Sequence, residues 1–174
     1  NLSKNRNITD SGFQYLSGVH TLILILNRNI TDIGLSYISG IHTLILICNE
    51  LITNDGLKNI SGVQILNLYY NNNITDEGLQ YVTGIRALHL GTNTNITYYG
   101  LRHLRGIHTL ELDSNVNVDD RGLFYLTGIH TLSLPCNDSI TNVGVQYITG
   151  VHTLNLSSNS RLTNLCLPAL STAH

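Results

Sequence analysis

The chain repeats a single motif every 22 residues along almost its whole length. A glycine, then Val or Ile, two variable residues and Leu-x-Leu recur at Gly18, Gly40, Gly62, Gly84, Gly106, Gly128 and Gly150. No insertion or deletion interrupts the series, and an asparagine follows each glycine nine positions later. A chain with this period builds its core by stacking units, because one unit alone cannot bury its own apolar half.

Each unit contains one segment with strand periodicity and one with helical periodicity. In the first segment Leu22 and Leu24 are two positions apart and therefore project from the same face of a strand. In the second, Leu35 and Ile38 are three apart, the spacing of a helical stripe. Thr31 precedes this stripe and is the expected N-cap, and the charge of Asp32 is expected to favour the first helical turn. Every unit is therefore predicted to be a strand, a loop and a short helix.

Stacking such units in phase predicts an α/β solenoid with a parallel concave sheet and short convex helices, expected to be right-handed. We expect one domain over residues 1–174 with about eight units. Because the pattern is already under way at Asn1, the chain is expected to be a fragment of a longer protein. Neither end of the array of units shows a strong polar capping unit. At the second end Cys166 replaces Gly, and Pro168 is expected to interrupt the helical stripe.

The helical half of the unit carries a family resemblance. Ile30–Leu35 and Ile74–Leu79 read Ile-Thr-Asp-x-Gly-Leu, each after a Leu-x-Leu strand. The unit resembles leucine-rich repeats of the cysteine-containing type, as in F-box leucine-rich-repeat proteins and repeat proteins of large DNA viruses of amoebae. This unit is shorter, and Asn fills the position that gives that type its name. The resemblance implies substrate selection for ubiquitination, although these residues contain no F-box-like segment.

The asparagine column is predicted to be structural. An Asn side chain supplies two donors and an acceptor, which suits buried backbone groups where the chain turns inward after the strand. Stacked units would align these amides in a ladder. Its members are Asn27, Asn49, Asn71, Asn93, Asn115, Asn137 and Asn159.

Two variable columns on the outward strand face are predicted to contact a partner. The Leu22 column never changes between units, whereas the columns that begin at Ile23 and Ile25 change from unit to unit. Constant columns serve the fold, so variable ones are free for recognition. The predicted contact residues are Ile23, Ile25, Ile45, Ile47, Tyr69, Tyr70, His89, Glu111 and Asp113. We expect an apolar anchor, an aromatic centre and an acidic spot suited to a basic partner.

Composition excludes several classes of partner. Nine Lys plus Arg against eleven Asp plus Glu provide no basic stripe, so we expect no nucleic-acid ligand. No apolar run approaches the roughly 18 residues that would cross a membrane. Three cysteines without close pairing form no disulfide framework, which favours an intracellular, cytoplasmic protein over a secreted one.

No chemistry-bearing constellation is evident. His20 and His42, like His108, His130 and His152, would stack linearly and not converge on a metal. Glu111 and Asp113 form a carboxylate pair on one face of a strand, but no neighbouring base or acid completes a glycosidase-like set. We therefore expect no enzyme activity, metal or cofactor.

The sequence favours a protein-recognition module that holds its partner on the concave face. Two alternatives remain at this stage. One is a structural protein that self-associates through the sides or uncapped ends of the solenoid. The other is an extracellular receptor-type repeat domain, which would require a signal peptide.

Overall fold

The computed structural model describes residues 1–171, whose strands form one sheet. Seven parallel strands lie side by side in chain order. They are β1 (Thr21–Ile25), β2 (Thr43–Ile47), β3 (Ile65–Asn67), β4 (Ala87–His89), β5 (Thr109–Glu111), β6 (Thr131–Ser133) and β7 (Thr153–Asn155). Each strand is in register with the position 22 residues later, as in the pairs Leu22–Leu44 and Ile23–Ile45. The period in sequence is therefore the spacing of the sheet.

Short helices follow the strands on the other side of the core. They are α1 (Asp10–Phe13), α2 (Asp32–Ser36), α3 (Asn54–Asn59), α4 (Asp76–Leu79), α5 (Tyr98–Leu101), α6 (Asp120–Leu123), α7 (Asn142–Val145) and α8 (Leu167–Leu170). Single 3-10 turns extend α1, α4, α5, α6 and α7, and another precedes α8. Within residues 1–171 no helix is long and apolar enough to span a membrane.

The core lies between sheet and helices. Leu44, Leu66 and Leu88 are fully buried, whereas Ile45 and Asn67 on the opposite face of their strands are partly exposed. We call this opposite face, which points away from the core, the strand face. The alternation predicted from the Leu-x-Leu spacing is confirmed.

Most helices begin with a polar connection to the previous unit, which we call the inter-unit staple. Thr31 caps α2 by accepting from the backbone N–H of Ile33 at 3.2 Å. Thr31 also donates its backbone N–H (2.9 Å) and its hydroxyl (2.6 Å) to the Asp10 carboxylate, 21 residues earlier. Equivalent pairs join most neighbouring units, as between Asp76 and Thr97. The sequence predicted the cap but not the connection between units.

A left-handed residue lies one to three positions after the end of each strand and turns the chain inward. Leu26, Cys48 and Tyr70 have φ between 56° and 60°, a region that side chains other than Gly enter at a cost of about 1 kcal/mol or more. In the fourth unit the left-handed position is Gly91, one residue earlier. The turn is therefore a feature of the unit, and its exact position shifts where the sequence changes.

The last described unit differs from expectation at Pro168. This residue lies in the first turn of α8, where the missing backbone N–H of proline costs nothing because that donor has no partner within the helix. Pro168 therefore does not prevent a helix, but the apolar stripe is displaced in this unit: Leu167, in the column of the fully buried Leu35, is 57% exposed, and Cys166 and Ala169 are buried instead.

Candidate functional site

Four isoleucines form one continuous apolar area on the strand face, which we call the isoleucine patch. Ile23 pairs with Ile45, and Ile25 with Ile47, in neighbouring parallel strands. All four side chains are half-buried by their neighbours. Strands about 4.8 Å apart bring such side chains into contact. The predicted apolar anchor is therefore a contiguous surface of β1 and β2.

Ile65 adds to this patch, and sequence reasoning had not included it. Ile65 pairs with Thr43 on β2 and is partly exposed on the same face. The repeat places Thr in this column at Thr21, Thr43 and Thr109. A change from Thr to Ile beside four isoleucines was the available signal.

Tyr69 reaches across two units of the strand face. Its ring covers Gly91, where an added Cβ would lie 2.4 Å from the ring carbons. Its hydroxyl donates to the Asp113 carboxylate at 3.0 Å. Burial, followed by this hydrogen bond, raises the pKa of Tyr69 to about 12. The missing side chain of Gly91 thus leaves room for the aromatic centre.

The acidic spot has partners within the chain. Nδ1 of His89 lies 2.6 Å from Oε2 of Glu111, and Ser133 donates its hydroxyl to Asp113 at 3.1 Å. The pairing of β4 with β5 places His89 beside Glu111, a contact that the sequence pattern did not indicate. Both carboxylates are therefore held by side chains of the same face.

Tyr70 is separated from the strand face by the left-handed turn at its own backbone. It is half exposed, and it lines a cavity of about 530 Å³ with Cys48 and Glu50 beyond the strand ends. Its ring still contacts that of Tyr69 edge to face, with centroids 4.9 Å apart. The structure thus places the two predicted aromatic residues on different but adjoining surfaces.

The asparagine column lies buried under the turns that follow the strands. Asn93 donates its side-chain amide to the backbone carbonyls of Asn71 (2.9 Å) and Ile74 (3.0 Å). Asn137 makes the equivalent bonds to Asn115 and Val118. Asn49 uses a second arrangement, in which it donates to the Leu24 carbonyl and accepts from the Asn27 N–H. Both arrangements join consecutive units.

The histidines of the repeat stack at the start of the strands. The ring centroids of His108 and His130 are 4.4 Å apart, and those of His130 and His152 are 4.6 Å apart. Burial, then the charges of the two neighbouring rings, lowers the pKa of His130. Within the described part of the chain, no three His, Cys, Asp or Glu side chains are placed to hold a metal ion.

A groove on the helical side was not predicted. A cavity of about 420 Å³ spans α5 to α7 and is lined by Tyr98, Asp120, Arg121, Phe124, Tyr125, Val143 and Tyr147. Phe124 and Val143 are more than half exposed. The signal is present in the sequence, since an aromatic residue stands in two otherwise mostly polar helical columns, at Tyr98 and at Phe124.

Three basic residues cluster at the turn edge of the first two units. Lys4, Arg6 and Arg28 line a cavity of about 450 Å³ together with Leu26 and Asn29. The net charge of the whole chain, −2, does not reveal this local cluster of positive charge. The positive charge lies next to the isoleucine patch but beyond the strand ends.

Comparison with known proteins agrees with this architecture. A family model described as a leucine-rich repeat matches residues 63–82, the segment from just before β3 through α4 and the turn that extends it. No curated protein matches the chain. The match, the 22-residue period and the single sheet of seven parallel strands together identify the fold as a leucine-rich-repeat solenoid.

Proposed function

We propose that the chain is a protein-recognition module that holds its partner on the strand face, with the isoleucine patch as the apolar anchor. The observation that carries this proposal is the continuity of the patch across two in-register strands. Soluble proteins seldom leave a contiguous apolar area uncovered unless it binds something. The leucine-rich-repeat fold supports this use, because its stacked strands provide an extended binding surface.

The polar pairs beside the patch support the same function. The Tyr69–Asp113 and His89–Glu111 contacts fix side chains that would otherwise lose conformational entropy when a partner binds. Interfaces combine a buried apolar centre with a polar surround that excludes water. In this proposal the patch is the centre, and the Tyr69 ring is its aromatic border.

The resemblance to F-box leucine-rich-repeat proteins supports a more specific version. In that version the chain is the substrate-selecting part of an intracellular ubiquitin-ligase adaptor, and the partner is the protein to be modified. The proposal assigns the chain binding and no catalytic step. A mechanism of this kind requires only that the strand face distinguish one protein surface from others.

The experiment replaces the patch without disturbing the fold. Asn67 and Asn155 occupy the same column as Ile23 and Ile45, so the double variant Ile23→Asn/Ile45→Asn places a residue that the repeat already accommodates. The control is Ile33→Asn, which alters an isoleucine that is 63% exposed on the helical side. Partner capture from cells that express the chain is quantified for wild type and both variants.

The proposal predicts proteins that are captured by wild type and by Ile33→Asn but lost at least tenfold in the double variant. Circular dichroism should show the same folded spectrum for all three. Capture that is equal for a folded double variant would contradict the proposal, as would a partner that consists only of further copies of the chain.

A further inference from the structure

The boundary between the fifth and sixth units lacks the inter-unit staple. At six other boundaries an Asp or Asn of one unit accepts the backbone N–H of the Thr 21 residues later. The acceptors are Asp10, Asp32, Asn54, Asp76, Asp120 and Asn142. Tyr98 takes this position in the fifth unit, and Asp119 takes the place of Thr. The boundary between the fifth and sixth units therefore lacks the stabilising hydrogen bonds that the inter-unit staple provides at the other six.

An arginine replaces the lost contact with one that faces outward. The Arg121 guanidinium lies 3.5 Å from the centroid of the Tyr98 ring and donates to the Asp119 carboxylate at 2.6 and 2.9 Å. The two substitutions depend on each other, because an Asp at position 98 would bring a second carboxylate beside Asp119. The result is a flat aromatic surface at the bottom of the helical-side groove.

The same units expose aromatic side chains where other units expose polar ones. Phe124 is 51% exposed and occupies the column of Gln14, Gln80 and Gln146. Tyr147 contacts its ring edge to face, with centroids 5.5 Å apart. A local loss of stabilising contact together with exposed aromatics is the pattern expected where function opposes stability. The groove is therefore a second candidate surface, separate from the strand face.

The charge at the groove indicates its occupant. Arg105 lies over Tyr125 (5.1 Å) and near Phe124 (6.0 Å). Among residues 1–171, no carboxylate forms an ion pair with Arg105. Arg121 shares the Asp119 carboxylate, and Asp120 is engaged by Thr141. Arg105 borders the groove at Phe124 and Tyr125, which line both this groove and the smaller cavity beside it, whereas the lining of the groove itself includes the Asp120 carboxylate. The guanidinium without an ion-pair partner among the described residues therefore lies at the Arg105 edge, which is where an acidic residue of a ligand would be accepted.

The length of the groove fits an extended peptide. Packed helices lie about 8–10 Å apart, so three successive helical segments span roughly 20 Å. An extended chain rises about 3.3 Å per residue, which places roughly six residues in such a groove. Aromatic grooves accept apolar side chains or proline, and an arginine beside them accepts a carboxylate.

We propose that this groove, lined by Tyr98, Arg121, Phe124 and Tyr147 beside Arg105, binds a short extended segment of a partner protein that carries an apolar or proline anchor next to an acidic residue. The site is independent of the isoleucine patch. A partner could engage either surface without the other.

The test uses a phage library of random 12-residue peptides selected against the wild-type chain. Two variants remove the groove. Phe124→Gln introduces the residue found in this column at Gln14, Gln80 and Gln146, and Tyr98→Asp/Asp119→Thr restores the regular staple above Gly122. The control, Tyr15→Gln, removes an aromatic that is 82% exposed on the first unit. Affinities of synthetic selected peptides are measured by fluorescence anisotropy, and melting temperatures by circular dichroism.

The proposal predicts selected peptides rich in Asp or Glu beside an aromatic, aliphatic or proline residue. Their affinity should fall at least tenfold in Phe124→Gln and in the double variant, and should be unchanged in Tyr15→Gln. The double variant should also melt at a higher temperature than wild type, so that its loss of binding is not a loss of fold. Arg105→Gln should weaken binding of the acidic peptides selectively.

Three results would overturn the proposal. One is that no peptide is enriched, and another is that enriched peptides bind the folded groove variants as tightly as wild type. The third is a dimer, seen by light scattering, that dissociates in Phe124→Gln, because the occupant would then be a second copy of the chain. The isoleucine-patch variant Ile23→Asn/Ile45→Asn should retain peptide binding, which separates this outcome from failure of the proposed function.

Discussion

At the residue scale, the Asp of each helix start has a different principal role from the one that sequence predicts. Asp32 was expected to favour the first helical turn through its charge. In the structure its carboxylate accepts two hydrogen bonds from Thr53 of the next unit. Sequence pattern could identify the Thr cap from local spacing. It could not show a contact that exists only after the units stack.

The staple carboxylate, at Asp32 and its equivalents, also explains the glycine in the helix of the next unit. An added Cβ at Gly100 would lie 2.4 Å from Oδ1 of Asp76, and that oxygen is fixed by the Thr97 N–H at 2.7 Å. We predict that Gly100→Ala destabilises the chain by about 1–3 kcal/mol through overpacking. Urea denaturation measures the change.

Gly12→Ala is the matched control. The nearest atom to its added Cβ is a methyl carbon of Ile8 at 4.0 Å, and among residues 1–171 no carboxylate lies within that distance. Because alanine favours helix over glycine by about 1 kcal/mol, this change should be neutral or stabilising. Equal destabilisation by both substitutions would show that the inter-unit staple is not the reason why these helices contain glycine.

At the element scale, the strand-start histidines make stability depend on pH. The pKa of His130 is lowered, first by burial and then by the charges of His108 and His152. The unfolded chain therefore binds a proton at this site more readily than the folded chain. The contribution of neutral His130 to the free energy of unfolding is complete above the ordinary histidine pKa of about 6.5. It is lost as the pH falls through the lower pKa that His130 has in the folded chain.

We predict that the melting temperature falls between pH 7.5 and pH 5.5, and that His130→Gln reduces the fall. Gln64 occupies the same column in the third unit, so glutamine fits the position. Thermal unfolding at both pH values measures the difference. A variant whose pH dependence equals that of wild type would exclude the stacked rings as its cause.

Strand pairing was the element-level feature most completely set by the sequence. An uninterrupted 22-residue period fixes the register of every strand pair, and alternation fixes the buried face. The side-chain network on the opposite face was harder to predict. Tyr69 bonds to Asp113 across Gly91, and such a contact between units two apart depends on a ring orientation that no local pattern encodes.

At the scale of the whole molecule, each unit packs mainly on its two neighbours. Among the described residues, hydrogen bonds join consecutive strands along the sheet, as expected of a solenoid. The architecture therefore separates two sets of residues. Repeated columns hold neighbouring units together, and altered columns change the surface without changing the fold. The isoleucine patch and the helical-side groove are both places where altered columns cluster.

Sequence comparison between units located the first of these surfaces and passed over the second. The sequence predicts the strand face as a binding surface because its variable columns alternate with the buried leucines. The helical columns at Tyr98 and Phe124 also vary, but in the sequence alone these changes cannot be distinguished from random variation. The structure adds the missing inter-unit staple at Asp119, which gives the changes a common location. A missing hydrogen bond between units is visible only in three dimensions.

The central claim, that the strand face holds a protein partner, is tested most directly by site-specific photo-crosslinking. A benzophenone amino acid is placed at position 45 in the patch or at position 33 on the helical side, and irradiated in cells that express the chain. The account predicts a discrete crosslinked protein from position 45 that is absent from position 33. Equal labelling at both positions, or a crosslink from position 33 alone, would contradict it.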